Sequence, residues 1–260
     1  MDSTAQQPSR LSIVVTGGLG DIGAATGRRL ARDGHTVTLV DLMETADGLS
    51  HIAGWEHADS SLGGRLRYAR ADITESSAVT TMIESQKKLD AIIINAGTVR
   101  SAPFLEIQEA DWHRQLSVNL SGAFLCAQAA ARRMVREGTR GLLLFTGSWV
   151  ANVPWPEITA YTASKAGMEN VARQAARELA AYGIRSNVVA PGIVRAGLAK
   201  AQLETEPQYA ARVARVVPLG ELQTVDQVAA AFSFLCSRDS EYMTGSTLTV
   251  DGGASLFAFD

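Results

Sequence analysis

The sequence predicts an α/β fold, a doubly wound parallel sheet of about seven strands with helices on both faces. Three observations carry this expectation. Short apolar runs of the length of buried parallel strands recur along the chain, and helical patterns separate most of them. The first such run leads through a glycine-rich turn into a helix. No linker, repeat or low-complexity tract divides the 260 residues, so one domain over 1–260 is expected, with residues 1–10 as a polar, flexible leader.

Leu11 to Thr16 (LSIVVT) is the first strand, and it runs into Gly17-Gly18-Leu19-Gly20-Asp21-Ile22-Gly23 and a helix ending near Asp33-Gly34. Gly18, Gly20 and Gly23 fit the G-x-G-x-x-G spacing in the strand–turn–helix setting it requires. Such glycines let the backbone approach a pyrophosphate, whose charge is met by the helix N-terminus. The second strand, His35 to Val40, ends at Asp41, about 18 residues beyond Gly23. A carboxylate at that offset accepts hydrogen bonds from adenosine ribose hydroxyls and repels a 2′-phosphate. No Arg or Lys lies in the glycine loop or directly after Asp41, so NAD is expected as cofactor and NADP is disfavoured.

Leu42 to Arg65, with Gly48, Gly54, Gly63, Gly64 and mixed polar residues, is the least ordered-looking part, and a short irregular helix is expected there. Within it, His51 and His57 are read as solvated loop residues and Trp55 as a packing plug. Leu66 to Ala71 is the third strand, with Asp72-Ile73 at its end, and Thr74 is read as the N-cap of a helix to about Lys88. Asp90 to Ile94 is the fourth strand, followed by the small-residue turn Asn95-Ala96-Gly97 that suits close approach of a cofactor. A loop leads to one long helix from Asp111 to Glu137, which carries Asn119 at an unfavourable interior position.

Gly141 to Thr146 is the fifth strand and delivers Ser148. The loop from Trp149 to Pro156, with Asn152 and Trp155, reads as a substrate-pocket wall. A helix from Tyr161 to Tyr182 opens with Tyr161-Thr162-Ala163-Ser164-Lys165. Four residues are slightly more than one helical turn, so Tyr161 and Lys165 share a face. An ammonium beside a phenol favours the phenolate, so the pair reads as a proton-transfer device, with the Ser148 hydroxyl holding the substrate oxygen. Ile184 to Val189 is the sixth strand, Ile193 to Val217 reads as a mobile lid, Thr224 caps a helix to about Ser237, and Thr247 to Val250 is the last strand.

The formal net charge of −3 gives no footprint for nucleic acid or an anionic membrane, and no apolar run approaches the ~20 residues that span a bilayer. The four histidines show no metal-ligand spacing, so no metal site is expected. Cys126 and Cys236 sit in apolar helical contexts as buried thiols, which fits a cytoplasmic location.

With these motifs in place the sequence resembles the short-chain dehydrogenase/reductase family from about Leu11 to Gly253. The matching residues are Thr16 to Gly23, Asp72-Ile73, Asn95-Ala96-Gly97, Asn119 within Ser-Val-Asn-Leu, Ser148, Tyr161-x-x-x-Lys165, Pro191-Gly192, and Thr244-Gly245 to Gly253. The resemblance implies a Rossmann fold with Tyr161 as general acid/base, Ser148 orienting the substrate oxygen, Lys165 binding the nicotinamide ribose, and Asn119 holding a relay water. It implies cofactor contacts at Gly17, Leu19, Asp21, Ile22, Asp41, Asp72, Ile73, Asn95, Ala96, Gly97, Tyr161, Lys165, Ile193 and Val194, and a homotetramer or homodimer. Substrate contacts are read at Ser148, Asn152, Trp155 and Tyr161. Three positions depart from the family pattern: Asp21 replaces a glycine and is expected to point outward, Ile94 replaces an asparagine, and Ala196 replaces a threonine.

The function expected is an NAD-dependent oxidoreductase interconverting a secondary alcohol (a small polyol, sugar or hydroxy compound) and its ketone. An NADPH-dependent 3-oxoacyl reductase is the alternative, weighed against by Asp41. A nonenzymatic NAD-binding regulator is an alternative of another class, weighed against by the complete Asn119, Ser148, Tyr161 and Lys165 set. A nucleotide-sugar epimerase would need a larger substrate domain.

Overall fold

A computed structural model describes residues 10–197, 205–206, 213 and 215–256. The expected leader therefore lies almost wholly outside the described residues, as does most of the expected lid. Seven parallel strands form one sheet in the order β3-β2-β1-β4-β5-β6-β7. They are β1 Ser12–Thr16, β2 Thr36–Asp41, β3 Leu66–Arg70, β4 Ala91–Ile94, β5 Leu142–Thr146, β6 Arg185–Pro191 and β7 Thr247–Val250. The strand order reverses between β1 and β4, which pair directly, so a crevice opens at the carboxyl ends of the strands at that point.

Both faces of the sheet are covered. On one face Val14, Ile92, Ile94, Leu143 and Phe145 pack with α3 (Ser76–Glu84), α5 (Ala123–Glu137) and α6 (Thr159–Leu179). On the other, Ile13, Val15, Leu39, Ile93 and Leu144 pack with α1 (Asp21–Arg32), α2 (Thr45–Ala58) and α7 (Val225–Cys236). The central strands are apolar at successive positions because both of their faces are buried.

The glycine-rich turn is built for close approach. Gly17 has a φ of +63°, and a Cβ on Gly23 would lie 2.0 Å from the Gly17 carbonyl oxygen, so only glycine lets α1 start this close to β1. The turn is tied down by Gly18 N–H, which donates to the Val40 carbonyl at 3.0 Å.

Four expectations need correction. The segment from Leu42 to Arg65 forms the 14-residue helix α2 and a 3₁₀ turn, Ser60–Leu62, rather than a short irregular helix. Gly48 allows the helix to lie against the Tyr68 ring, whose hydroxyl donates to the Met43 carbonyl, and Ile52 is buried. His51 and His57 are exposed on this helix and not in loops, while Trp55 packs against the core with the Arg28 guanidinium 5.5 Å from its ring. Thr74 does not cap α3. Its N–H and hydroxyl both donate to Asp72 Oδ1, and the helix begins at Ser76 and ends at Glu84, short of Lys88.

The long helix is interrupted. α4 runs Glu109–Leu116, a π-helical turn occupies Ser117–Gly122, and α5 follows. Asn119 sits in the π turn, and its side chain bonds Thr98 and Ser164. The next helix, α6, begins at Thr159, and a 3₁₀ turn carries it from Ala180 to Tyr182.

Thr224 does cap α7: Oγ1 accepts from Gln227 N at 3.3 Å, and Gln227 Oε1 accepts from Thr224 N at 2.8 Å. This capping box holds the helix that packs beside α1. Thr224→Ala is expected to lower the unfolding free energy by about 1 kcal/mol in urea titration, with the circular dichroism spectrum preserved.

Candidate active site

A cleft of about 770 Å³ follows the carboxyl ends of the strands, within the size range of small-molecule sites. Its lining joins the glycine turn, Asp41, Asp72-Ile73, Asn95 to Val99, Ser148, Tyr161, Lys165 and Ile193-Val194. Residues separated widely in the chain meet because all follow strand ends on the same side of one sheet. Asn119 is fully buried just behind this wall. Asn152 does not line the cleft; its Nδ2 instead donates inward to Glu169 Oε2 at 3.3 Å.

The half of the cleft nearest β1 and β2 is held by polar side chains on backbone. Asp41 Oδ2 accepts from Leu19 N at 3.0 Å and Oδ1 from Leu42 N at 2.8 Å, so the carboxylate braces the glycine turn. Asn95 spans three strand ends: Nδ2 donates to the Thr16 and Gly17 carbonyls and Oδ1 accepts from Thr146 Oγ1. Asp21 does not simply point outward. Its Oδ2 accepts from Gly197 N at 2.9 Å, bridging the start of α1 to the chain leaving β6. Ile193 and Val194 are buried, and Ile193 O already accepts from Gln223 N at 3.1 Å. The N-terminus of α1 has no side-chain cap. Its first amides are therefore open toward the cleft, which fits the diphosphate of a dinucleotide.

The other half carries Ser148, Tyr161 and Lys165. Lys165 is buried, and its Nζ donates to the Thr146 carbonyl at 2.6 Å while lying 5.6 Å from the centre of the Tyr161 ring. Desolvation brings its pKa down to about 8, partly opposed by Glu169. The Tyr161 phenol is shifted upward by desolvation, with a Ser148 hydrogen bond opposing. The shift is thus contrary to that expected from a neighbouring ammonium, because burial outweighs the hydrogen bond. Asn119 clamps the chain after β4: Oδ1 accepts from Thr98 N and Nδ2 donates to Thr98 O, both at 2.8 Å, and Nδ2 also reaches Ser164 Oγ at 3.0 Å. Past Ser148, Trp149 and Trp155 meet edge to face at 5.2 Å and join Val150 and Ile193 in a separate apolar cluster.

Sequence reasoning missed three groups here. Thr146 acts through a backbone carbonyl, which leaves no mark on residue type. Arg70 lies opposite Asp41 in the β2–β3 register, a neighbour that chain spacing does not reveal, and its guanidinium reaches Glu44 and the Leu42 carbonyl. Glu169 is buried on α6, and a charged residue at helical spacing among the buried Lys165, Met168 and Ala172 was the available signal.

Fold and cleft together define an α/β protein of the dinucleotide-binding class. A family model described as enoyl-(acyl carrier protein) reductase matches residues 19–255. The (3R)-3-hydroxyacyl-CoA dehydrogenase of Canis lupus familiaris is 35% identical over 260 residues, covering 97% of this chain and 99% of the relative. The cis-4-hydroxycyclohexanecarboxylate dehydrogenase of Sinomonas cyclohexanicum is 35% identical over 246 residues, covering 92% and 94%. Among solved structures, a gluconate 5-dehydrogenase from Burkholderia cenocepacia, in complex with NADP and tartrate, is similar with a TM-score of 0.87 and 29% identity, covering 96% of this chain and 97% of that one. The chain belongs to the short-chain dehydrogenase/reductase family. It is an oxidoreductase acting on CH–OH groups.

Gly97 separates Asn119 from Lys165. A Cβ there would lie 3.3 Å from Asn119 Oδ1 and 3.7 Å from Lys165 Nζ, so glycine leaves both polar groups approachable from the cleft. Gly97→Ala is expected to reduce turnover about tenfold while the melting temperature stays within a few degrees, read by steady-state kinetics and calorimetry.

Proposed function

We propose that the protein is an NAD-dependent dehydrogenase/reductase interconverting a secondary alcohol and its ketone, with Tyr161 as general acid/base. The observation that carries the reading is the convergence on one cleft of Asp41 at one end and the Ser148, Tyr161 and Lys165 set at the other. In the oxidation direction the Ser148 hydroxyl hydrogen-bonds the substrate oxygen and the Tyr161 phenolate takes its proton. Lys165 holds the ribose of the cofactor and stabilises the phenolate by its charge. Asn119, fixed to Thr98 and Ser164, orders the polar route by which the proton leaves. A bound nicotinamide supplies the hydride acceptor. The remaining work of the chain is orientation and exclusion of water.

The apolar cluster of Trp149, Val150, Trp155 and Ile193 beside Ser148 supports a hydroxy compound with apolar bulk over an open-chain polyol. Trp155 is buried edge-on against Trp149, which favours water exclusion over stacking on a sugar ring. A second reading is an NADPH-dependent 3-oxoacyl reductase. Arg70 beside Asp41 favours it, and so does the likeness to a mycobacterial 3-oxoacyl-[acyl-carrier-protein] reductase, 33% identical over 249 residues.

Fluorescence titration decides between the two. NADH is expected to bind more tightly than NADPH, and Asp41→Asn to weaken NADH about tenfold while relaxing discrimination toward NADPH, since the carboxylate no longer repels a 2′-phosphate near Arg70. Wild-type preference for NADPH would move the reductase reading to first place. Tyr161→Phe should retain NADH binding and lose oxidation, which separates cofactor binding from chemistry.

The free, buried thiols of Cys126 and Cys236 support a reducing, cytoplasmic setting. Among the described residues no helix is long and apolar enough to cross a membrane. Exposed Phe124 and Val135 on α5 support association of copies through that helix as a homotetramer or homodimer. Light scattering is expected to give a multiple of the 27.6 kDa chain mass; a stable monomer would remove this part of the proposal.

A further inference from the structure

Two residues of α6 hold the turn that carries Ser148. The first is Lys165, whose ammonium is bonded to the Thr146 carbonyl at 2.6 Å. The second is Glu169, one helical turn further on. Only 1% of Glu169 is exposed, and beyond Lys165 the buried positions around it on α6 are the apolar Met168, Ala172 and Ala176. Its Oε2 accepts from Asn152 Nδ2 at 3.3 Å. Among the described residues its Oε1 makes no hydrogen bond of ordinary geometry, and it lies against Gly147, where a Cβ would fall 2.9 Å away. The Ser148 amide faces the same carboxyl group. Burying a carboxyl group costs free energy that an apolar residue would avoid, and its polar neighbours here are Asn152 and the Ser148 amide, both of the segment that follows β5.

We propose that Glu169 is a positioning residue of the reaction, clamping the Gly147–Ser148 turn and Asn152 against α6 and serving as counter-charge to the Lys165 ammonium. The inference rests on the reading of Ser148, Tyr161 and Lys165 as the reacting set. Its geometry is that of two neighbours on one helix face holding successive points of one segment: Thr146 through a cation, and Asn152 through a carboxyl group that also lies against Gly147. Among the described residues, the charged groups acting on Glu169 are Arg173 and Lys165, both from α6, and the one acting on Lys165 is Glu169. The turn after β5 presents only the neutral Ser148 and Asn152, and β6 presents the apolar Val188 against Gly147.

The pH dependence follows from the sign of each effect. Burial raises the Glu169 pKa and brings Lys165 down to about 8, each toward its neutral form, while the attraction between the two opposes both shifts and favours the charged form of each. An ionised Glu169 keeps Lys165 protonated to higher pH. Replacing it with a neutral isostere therefore moves the loss of the Lys165 proton to lower pH, and with it the alkaline limit of any activity that needs the ammonium.

The test uses the full chain and a readout that needs no substrate. The sequence has four lysines, Lys87, Lys88, Lys165 and Lys200, so ¹³Cε-lysine spectra are simple, and Lys165→Met assigns the signal. In Glu169→Gln the Lys165 titration is expected to fall by about half a pH unit or more, and the alkaline limb of kcat/KM to fall with it. In Glu169→Asp, whose carboxylate is retracted by one methylene, the titration is expected between those of wild type and Gln. This second variant keeps the test open if Gln does not fold. A Lys165 titration unchanged in every folded variant, with losses confined to melting temperature, would overturn the proposal. A titration that moves in a protein that oxidises no alcohol with NAD⁺ or NADP⁺ would uphold the Glu169–Lys165 coupling and instead remove the dehydrogenase reading.

Discussion

The buried ammonium of Lys165 is the constraint from which the site follows. Removing an ammonium from water costs several kcal/mol unless other groups replace the lost solvation. Here the replacement is the Thr146 carbonyl at 2.6 Å, with Glu169 on the same helix face. Those partners fix the end of β5 against α6, and so fix where Ser148 stands relative to Tyr161. The parallel sheet makes this possible: β5 and β6 end on the same side, and α6 returns across that end before β6 begins. A chain that satisfies this ammonium has already assembled the half of the cleft that holds Ser148, Tyr161 and Lys165.

The half of the cleft beside β1 and β2 depends on a different kind of restraint. There the main actors are backbone groups, fixed by the short side chains of Thr16, Asp41 and Asn95. Asn95 alone ties the ends of β1, β4 and β5, using both its amide nitrogen and its oxygen. The neighbouring residue Ile94, where the family pattern has a polar group, is fully buried in the core, so the side-chain stitching from this turn is made by Asn95, with the Asn95 and Ala96 amides donating to Thr16 Oγ1. Asp21 introduces a negative charge at the helix N-terminus, where it suits the dipole, and it takes the Gly197 amide as partner. The departure from glycine therefore links α1 to the chain that leaves β6.

How much of this was legible in the sequence depended on which force dominated locally. The central strands were clear because burial on both faces requires unbroken Val, Ile and Leu runs. The capping box at Thr224 was half visible, since Thr marks the start of a helix and Gln227 supplies the reciprocal bond. α2 was misread because its glycines look like breakers; Gly48 instead yields room to the Tyr68 ring. The π turn at Asn119 was legible only as an anomaly. An Asn inside a helix asks for a partner, but sequence does not say that the helix widens to reach Thr98 and Ser164. Contacts through backbone carbonyls, such as Thr146, and cross-strand neighbours, such as Arg70 beside Asp41, are set by register and not by residue type.

This division explains why the sequence speaks more clearly about reaction type than about substrate. The Tyr161 and Lys165 pair shares one helix face, so its spacing is enforced by helical geometry and shows directly as Y-x-x-x-K. The pocket wall has no such period. Trp149, Val150 and Trp155 lie in a turn and loop, and they acquire a common surface by packing with Ile193, Val213, Val216 and Val217. Which faces they offer depends on contacts between segments far apart in the chain. The edge-on burial of Trp155 against Trp149 illustrates this: residue type suggests a stacking platform, whereas packing turns it into a wall. Helical and strand periods constrain the chemistry that a family shares, while irregular segments, free of those periods, are where individual members can differ in what they accept.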